Sequence, residues 1–234
     1  MKNWNMWVRR LAVPLLAATV LLGFLGAFLC VREADLAMTE EQPPYILIDP
    51  GHGGADGGAV AADGTQEKDI NLAISRPLAD MLRIFGYPVI ESRDTDISIH
   101  DADAKGLKDQ KISDIHNRLK LAQDSLITIS VHQNKFPQTQ YSGTQVFYST
   151  NNPASEGLAT SIRESVLTLL QPENNRQLKK ADKSIYLLHN ATPPTVLVEC
   201  GFLSNEAERD KLKTAEYQQQ MAFAIAGGTL KYTP

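Results

Sequence analysis

Apolar positions along the chain fall into runs of different period, and their order alone predicts an architecture. The first run, residues 11–31, holds no charged side chain and only one clearly polar one, Thr19. A short continuous run at 45–49 reads as a buried strand. Between 69 and 85 the spacing turns helical, with Ile70, Leu72, Ile74, Leu78, Met81, Leu82 and Phe85 on a repeating face. Pro77 falls inside that stretch and predicts a kink or a split. Gly86 stops it, and 88–92 forms the next strand. Residues 94–111 are charged, weakly patterned and contain Gly106, which predicts a mobile loop.

Further on, Ile112, Ile115, Leu119 and Ala122 line one face of a helix, followed by a strand over 126–131. Residues 144–148 alternate in strand fashion. Pro153 opens a helix reaching about 170, since proline suits a first turn. A polar stretch over 171–183 leads to Ile185-Tyr-Leu-Leu188. Residues 195–198 read as a strand buried on both faces, and 217–231 as a closing amphipathic helix. Strands alternating with helices predict one α/β domain with a mostly parallel or mixed central sheet flanked by helices.

Charge changes the picture at the N-terminus. Residues 1–32 carry four of the 23 Lys+Arg (Lys2, Arg9, Arg10, Arg32) and none of the 27 acids. The apolar run is long enough to span the roughly 30 Å hydrocarbon layer, and its basic tip belongs in the cytoplasm by the positive-inside rule. A cleavable signal peptide competes, but its apolar core is normally about 7–15 residues. The expectation is therefore a tip and single transmembrane signal-anchor over 1–32, an acidic linker over 33–44 ending in Pro43-Pro44, and a catalytic domain over 45–234. That domain would sit outside the cytoplasm at the cell membrane, or be secreted if the segment is cleaved. With 27 acids against 19 remaining bases, it has no electrostatic footprint for nucleic acid. Cys30 and Cys200 make no disulfide framework, and Cys200 reads as a small buried apolar residue.

The chemistry gathers at four residues placed where predicted strands end or hand over to helices. They are His52 in Asp49-Pro-Gly-His52-Gly-Gly, Glu67 in Gly64-Thr-Gln-Glu67-Lys-Asp, His132 in Ser130-Val-His132-Gln-Asn134, and Glu199 in Val196-Leu-Val-Glu199-Cys-Gly. In open α/β sheets ligands bind beyond the carboxyl ends of strands, so these segments can meet in one cleft. Two imidazoles plus one carboxylate is the usual protein contribution to a catalytic zinc site, and a second carboxylate supplies proton chemistry. The pattern points to metal-assisted hydrolysis. The same ligand set also forms the facial triad of non-haem iron oxygenases, an alternative that the residues leave open. The segment 51–58 lacks the residues that complete a Walker motif, and Asp56 stands where a dinucleotide fingerprint needs glycine. Its glycines are better explained by a tight turn that presents His52. Burying Glu199 unpaired after four apolar-strand residues would be costly, so it needs a partner or a function. His100 and His116 read as solvated, His189 as a cleft or loop residue, and Arg93 and Arg118 as structural ion-pair residues.

Four segments, His52-Gly-Gly-Ala-Asp-Gly-Gly-Ala59, Glu67-Lys-Asp-Ile-Asn-Leu72, Ser130-Val-His-Gln-Asn134 and Val198-Glu-Cys-Gly-Phe-Leu-Ser-Asn205, closely resemble the zinc-dependent N-acetylmuramoyl-L-alanine amidases of the amidase-3 family. The resemblance covers about 45–231 and keeps the family's motif order. It implies one zinc ion per chain held by His52, Glu67 and His132, with Glu199 as the catalytic acid/base. It implies peptidoglycan as partner and cleavage of the amide joining muramic acid to the first L-alanine of the stem. Asn134, beside His132, is a candidate substrate contact. One anchor followed by one catalytic domain looks most like the sporulation branch, the germination-specific amidases of spore-cortex maturation; an accessory protein stays unknown. A wall-binding protein with a decayed site is the non-enzymatic alternative. Cys200 and Pro77 depart from the family pattern without touching a proposed ligand.

Overall fold

The computed structural model describes residues 44–233 together with Gly23, Leu25 and Gly26. The expected cytoplasmic tip, most of the expected anchor, and nearly all of the 33–44 linker lie outside them. Among the described residues no helix is long and apolar enough to cross a membrane.

Six strands form one mixed sheet in the order β2-β1-β3-β6-β4-β5. They are β1 (Ile46–Pro50), β2 (Val89–Glu91), β3 (Ile127–Asn134), β4 (Gln145–Tyr148), β5 (Lys179–Lys180) and β6 (Thr195–Phe202). β1 runs parallel to β2 and β3, and β3 parallel to β6, whereas β4 is antiparallel to β6. The helices are α1 (Glu67–Ile84), α2 (Gly106–Gln123), α3 (Ala154–Leu169), α4 (Tyr186–Asn190), α5 (Glu206–Leu212) and α6 (Ala215–Tyr232).

The period of two along each strand sorts side chains onto two faces. Ile46, Ile48, Ile129, Val131, Val196 and Val198 point to one face and pack in a single cluster with Ile74 and Leu78 of α1, Leu158 and Ile162 of α3, and Ile225 of α6. Leu47 and Leu197 point the other way, into a smaller cluster with Ala122 of α2 and Leu187 and Leu188 of α4. The second face has less apolar material, and at the C-terminal end of the parallel strands it turns polar: Asp49, Ser130, His132 and Glu199 follow Leu47, Thr128 and Leu197.

Several sequence expectations need correction. Helix α1 runs unbroken through Pro77. The missing proline N–H costs one backbone bond, and the fully buried Ile74, Leu78, Ala79 and Leu82 hold the turns on either side against the sheet. Its stop is as expected. Gly86 has φ 89°, its N–H donates to the Arg83 carbonyl, and the Tyr87 N–H donates to Leu82, the Schellman pattern. Residues 106–111, expected within a mobile loop, are the first turns of α2; their solvent-facing charges and the exposed Leu107 hide the helical period. β3 and β6 continue past their expected ends at 131 and 198. His132 and Glu199 therefore sit inside strands rather than beyond them.

Candidate active site

Three ligand-capable side chains converge at the carboxyl end of the sheet. One atom each from His52, Glu67 and His132 lies within 4.8 Å of the others. His132 comes from β3, Glu67 from the first turn of α1, and His52 from the loop leaving β1. The positive end of the helix favours an anion at Glu67. The Glu67 carboxylate takes N–H bonds from Ala59 (2.8 Å) and Gln133 (3.0 Å), and faces His132 Nδ1 at 2.8 Å and His52 Nε2 at 3.2 Å. Burial works to raise its pKa. The two imidazoles more than offset that and hold it well below the usual carboxylate range. The imidazoles meet edge to face with ring centroids 5.0 Å apart.

Close approach in this cluster requires glycine twice. A Cβ on Gly51 would lie 2.2 Å from two atoms of the His132 ring. One on Gly58, whose φ is +67°, would lie 2.6 Å from both Glu67 Oε2 and His52 Cδ2. His52 itself holds φ 63°, a left-handed conformation that a residue with a Cβ seldom adopts. Such strain persists only where neighbours over-determine it, and they do. Arg118 donates to the carbonyls of Pro50 (2.8 Å) and His52 (2.7 Å). Arg93 donates to those of Pro50 and Gly51 (both 3.0 Å) and Lys68 (2.8 Å). The Asn71 amide adds a bond to Gly51 O.

Arg118 is the expected ion-pair residue, clamped between Asp49 and Asp114. Arg93 corrects the expectation: its hydrogen bonds go to backbone carbonyls, including Thr95, rather than to a carboxylate. Beneath the loop, Asp49 accepts bonds from Ser92 and Ser130 as well as Arg118. Burial would raise this carboxyl, but the guanidinium and the hydroxyls hold it at about 2.

Asp56, unassigned by the sequence reasoning, faces His52 Nδ1 at 2.8 Å. That contact fixes the ring and leaves Nε2 to point at the cluster, the role carboxylates play behind metal-binding imidazoles. The signal was an acid four residues after a histidine in a glycine-rich turn. Burial works to lower the His52 pKa, but Asp56 and Glu67 outweigh it and raise the ring to about 9.

Glu199 pairs in register with His132 across β3 and β6. Its Oε2 is buried without a hydrogen-bond partner among the described residues. Burial pushes the carboxyl up to about 7; the His132 imidazole pulls it down and Glu67 pushes it up further. Asn134 ends β3, half-buried, and its carbonyl accepts the Leu203 N–H at 2.8 Å. Cys200 is fully buried on the opposite face, and burial raises its thiol far above reactivity. The other histidines stay outside the cluster: His100 bonds Ser98, His116 stacks against Tyr186, and His189 is exposed on α4.

Beside His52 and His132 opens a cavity of about 320 Å³, walled by Lys111, Ile115, Tyr186 and Leu187. His52, Glu67 and His132 offer two imidazoles and a carboxylate that can hold a divalent ion, with a second acid, Glu199, on the strand next to His132.

Comparison with known proteins identifies the family. The family described as N-acetylmuramoyl-L-alanine amidase matches residues 46–231. The germination-specific N-acetylmuramoyl-L-alanine amidase of Bacillus subtilis is 37% identical over 189 residues, 80% of this chain and 78% of that protein. The CwlD amidase of Clostridioides difficile, solved in complex with the GerS lipoprotein, superposes with a TM-score of 0.77 at 38% identity, covering 81% of this chain and 98% of that one. The amidase AmiC2 of Nostoc punctiforme gives 0.68 at 31% identity, covering 81% and 96%.

Proposed function

The chain belongs to the N-acetylmuramoyl-L-alanine amidase family, the peptidoglycan hydrolases that cut between N-acetylmuramic acid and L-alanine, and from that premise we propose how its own residues carry the reaction. Membership removes the oxygenase and the non-catalytic wall binder as leading readings. The observation that carries the proposal is the unpartnered, buried Oε2 of Glu199 on the strand next to His132.

The donor set fits zinc. Two imidazoles and one carboxylate are borderline-soft and hard ligands of the kind zinc takes in catalytic sites, and their atoms already lie within 4.8 Å of one another. His52, Glu67 and His132 would hold the ion, with Asp56 steering one ring. When bound, zinc polarises the scissile carbonyl and makes a water acidic enough to attack near neutral pH. Glu199 takes the proton from the attacking water and returns it to the departing L-alanine nitrogen. A carboxyl that burial lifts above the usual carboxylate range suits both transfers. Without that return the leaving group would be an amide anion, too basic to depart. Asn134, at the end of β3, is the residue we propose contacts sugar or peptide.

The wider setting is proposed on sequence and relatives. The uncharged run over 11–31 with its basic flank supports a single-pass anchor, the domain from 45 onward facing away from the cytoplasm. The Bacillus subtilis relative supports a role in spore-cortex maturation, and the GerS complex of the Clostridioides difficile relative supports an accessory protein.

Mass spectrometry of peptidoglycan digested by the full chain tests the reaction. Stem peptides with a free L-alanine amino terminus should appear, and should vanish with a chelator. Reducing sugar ends without new amino termini would refute the proposal.

A further inference from the structure

The wall of the cavity opposite the imidazoles is one face of α2. Lys111, Asp114, Ile115 and Arg118 recur there at i, i+3, i+4 and i+7, and all four line the cavity. Among the described lining residues the lysines and arginines are Lys111 and Arg118. Arg118 has no capacity left: its side chain is 3% exposed, and its donors go to Asp114, Asp49, Ser92 and the carbonyls of Pro50 and His52. Lys111 is different. Its side chain is 57% exposed and its ammonium makes one ion pair, to Asp56 Oδ1 at 2.8 Å. An ammonium has three donors, so Lys111 keeps two for a ligand.

The acids lining the cavity are Asp49, Asp56 and Asp114. Arg118 holds Asp49 and Asp114, and His52 and Lys111 hold Asp56, so Lys111 is the lining cation with donors to spare for an acidic substrate. Resting on the amidase reading above, we propose that Lys111 is a specificity-determining residue that binds the carboxylate of the acidic residue following L-alanine in the stem peptide. The reach agrees. That carboxylate lies two residues from the scissile bond, roughly 7 Å of extended chain. The Lys111 ammonium stands one carboxylate away from His52, since Asp56 touches Nζ with one oxygen and the imidazole with the other. The apolar Ile115 on the same wall, with Leu187 of α4 in the same cluster, suits the methyl of L-alanine.

The test uses the full chain with two soluble muropeptides, one with that carboxylate free and one with it converted to the carboxamide. The wild-type enzyme should prefer the free acid by about tenfold in kcat/KM, one charge-assisted contact's worth of discrimination. Lys111→Met should lose the preference through a higher KM for the acid, with bound metal unchanged, and Lys111→Arg should restore it. Equal turnover of both substrates by the wild type would overturn the proposal. So would a Lys111→Met variant that loses metal or slows both substrates equally, because Lys111 would then act only through Asp56. If neither substrate is cleaved by any form, the amidase reading itself fails, a result distinct from a lost preference.

Discussion

The two faces of the central sheet are built from the same strands and do opposite work. On one face Ile127, Ile129 and Val131 of β3, with Val196 and Val198 of β6, meet α1, α3 and α6 in a dry core. On the other, the alternate residues of those strands end in Ser130, His132 and Glu199, under the thinner cover of α2 and α4. The dry face needs only shape and apolar area. The chemical face needs every polar group to find a partner, and it finds them in Arg118, Arg93 and the amides around Glu67. Among the described residues Glu199 Oε2 stays without a partner on this face, and the proposed proton transfers would use it.

Substitutions on each face should separate the two roles. The largest effect should come from Glu199→Gln, which keeps shape and removes proton transfer: kcat should fall by about two to four orders of magnitude in a muropeptide assay with the metal retained. Near-normal turnover would take Glu199 out of the mechanism. Gly51→Ala comes next. Its new methyl must displace the His132 ring, lying 2.2 Å away, and a shift of a metal-binding group should lower metal affinity and rate by about 10- to 100-fold, as competition with a chromophoric chelator would measure. Unchanged affinity would show that the ring has room to move.

The pH dependence follows from His52. Without metal its ring is held at about 9, so it is protonated at pH 7. A metal ligand must be neutral, so uptake expels that proton. Affinity should rise with pH by about tenfold per unit below that pKa and level off above it. Calorimetry in buffers of different ionisation enthalpy should find proton release at neutral pH, and none would contradict the geometry around His52. The smallest effect on chemistry should come from the dry face of the same strand. Ile129→Ala, fully buried opposite the site, should cost about 2–5 kcal/mol of stability in denaturant unfolding while folded enzyme keeps its kcat. A collapse in kcat at full folding would mean that the faces are coupled.

The dry face was the more legible of the two. Continuous apolar runs identified β1 and β6, and the period of α1 survived its proline because Ile74, Leu78 and Leu82 carry it. The chemical face misled in a consistent way. His132 and Glu199 are polar, so apolar patterning ended β3 and β6 at 131 and 198, although the strands run on to Asn134 and Phe202. α5 left only a cap as signal, Asn205 accepting from the Glu208 N–H, and β5 is two exposed lysines at a sheet edge. Glu67, an ordinary first-turn acid by pattern, is buried as the hub of the cluster. Asp56, Asn71 and Lys111 act through partners 4 to 62 positions away in sequence or across the cleft, and no local period records such contacts.

In the proposed site one divalent ion is held by His52, Glu67 and His132 while Glu199 stays free to move protons. Metal analysis of purified full-length wild type, Glu199→Gln and His132→Ala, each checked for folding by circular dichroism, tests it most directly. One zinc per chain is expected in the first two and none in the third. A folded His132→Ala chain with a full complement of zinc, or a Glu199→Gln chain with none, would contradict it.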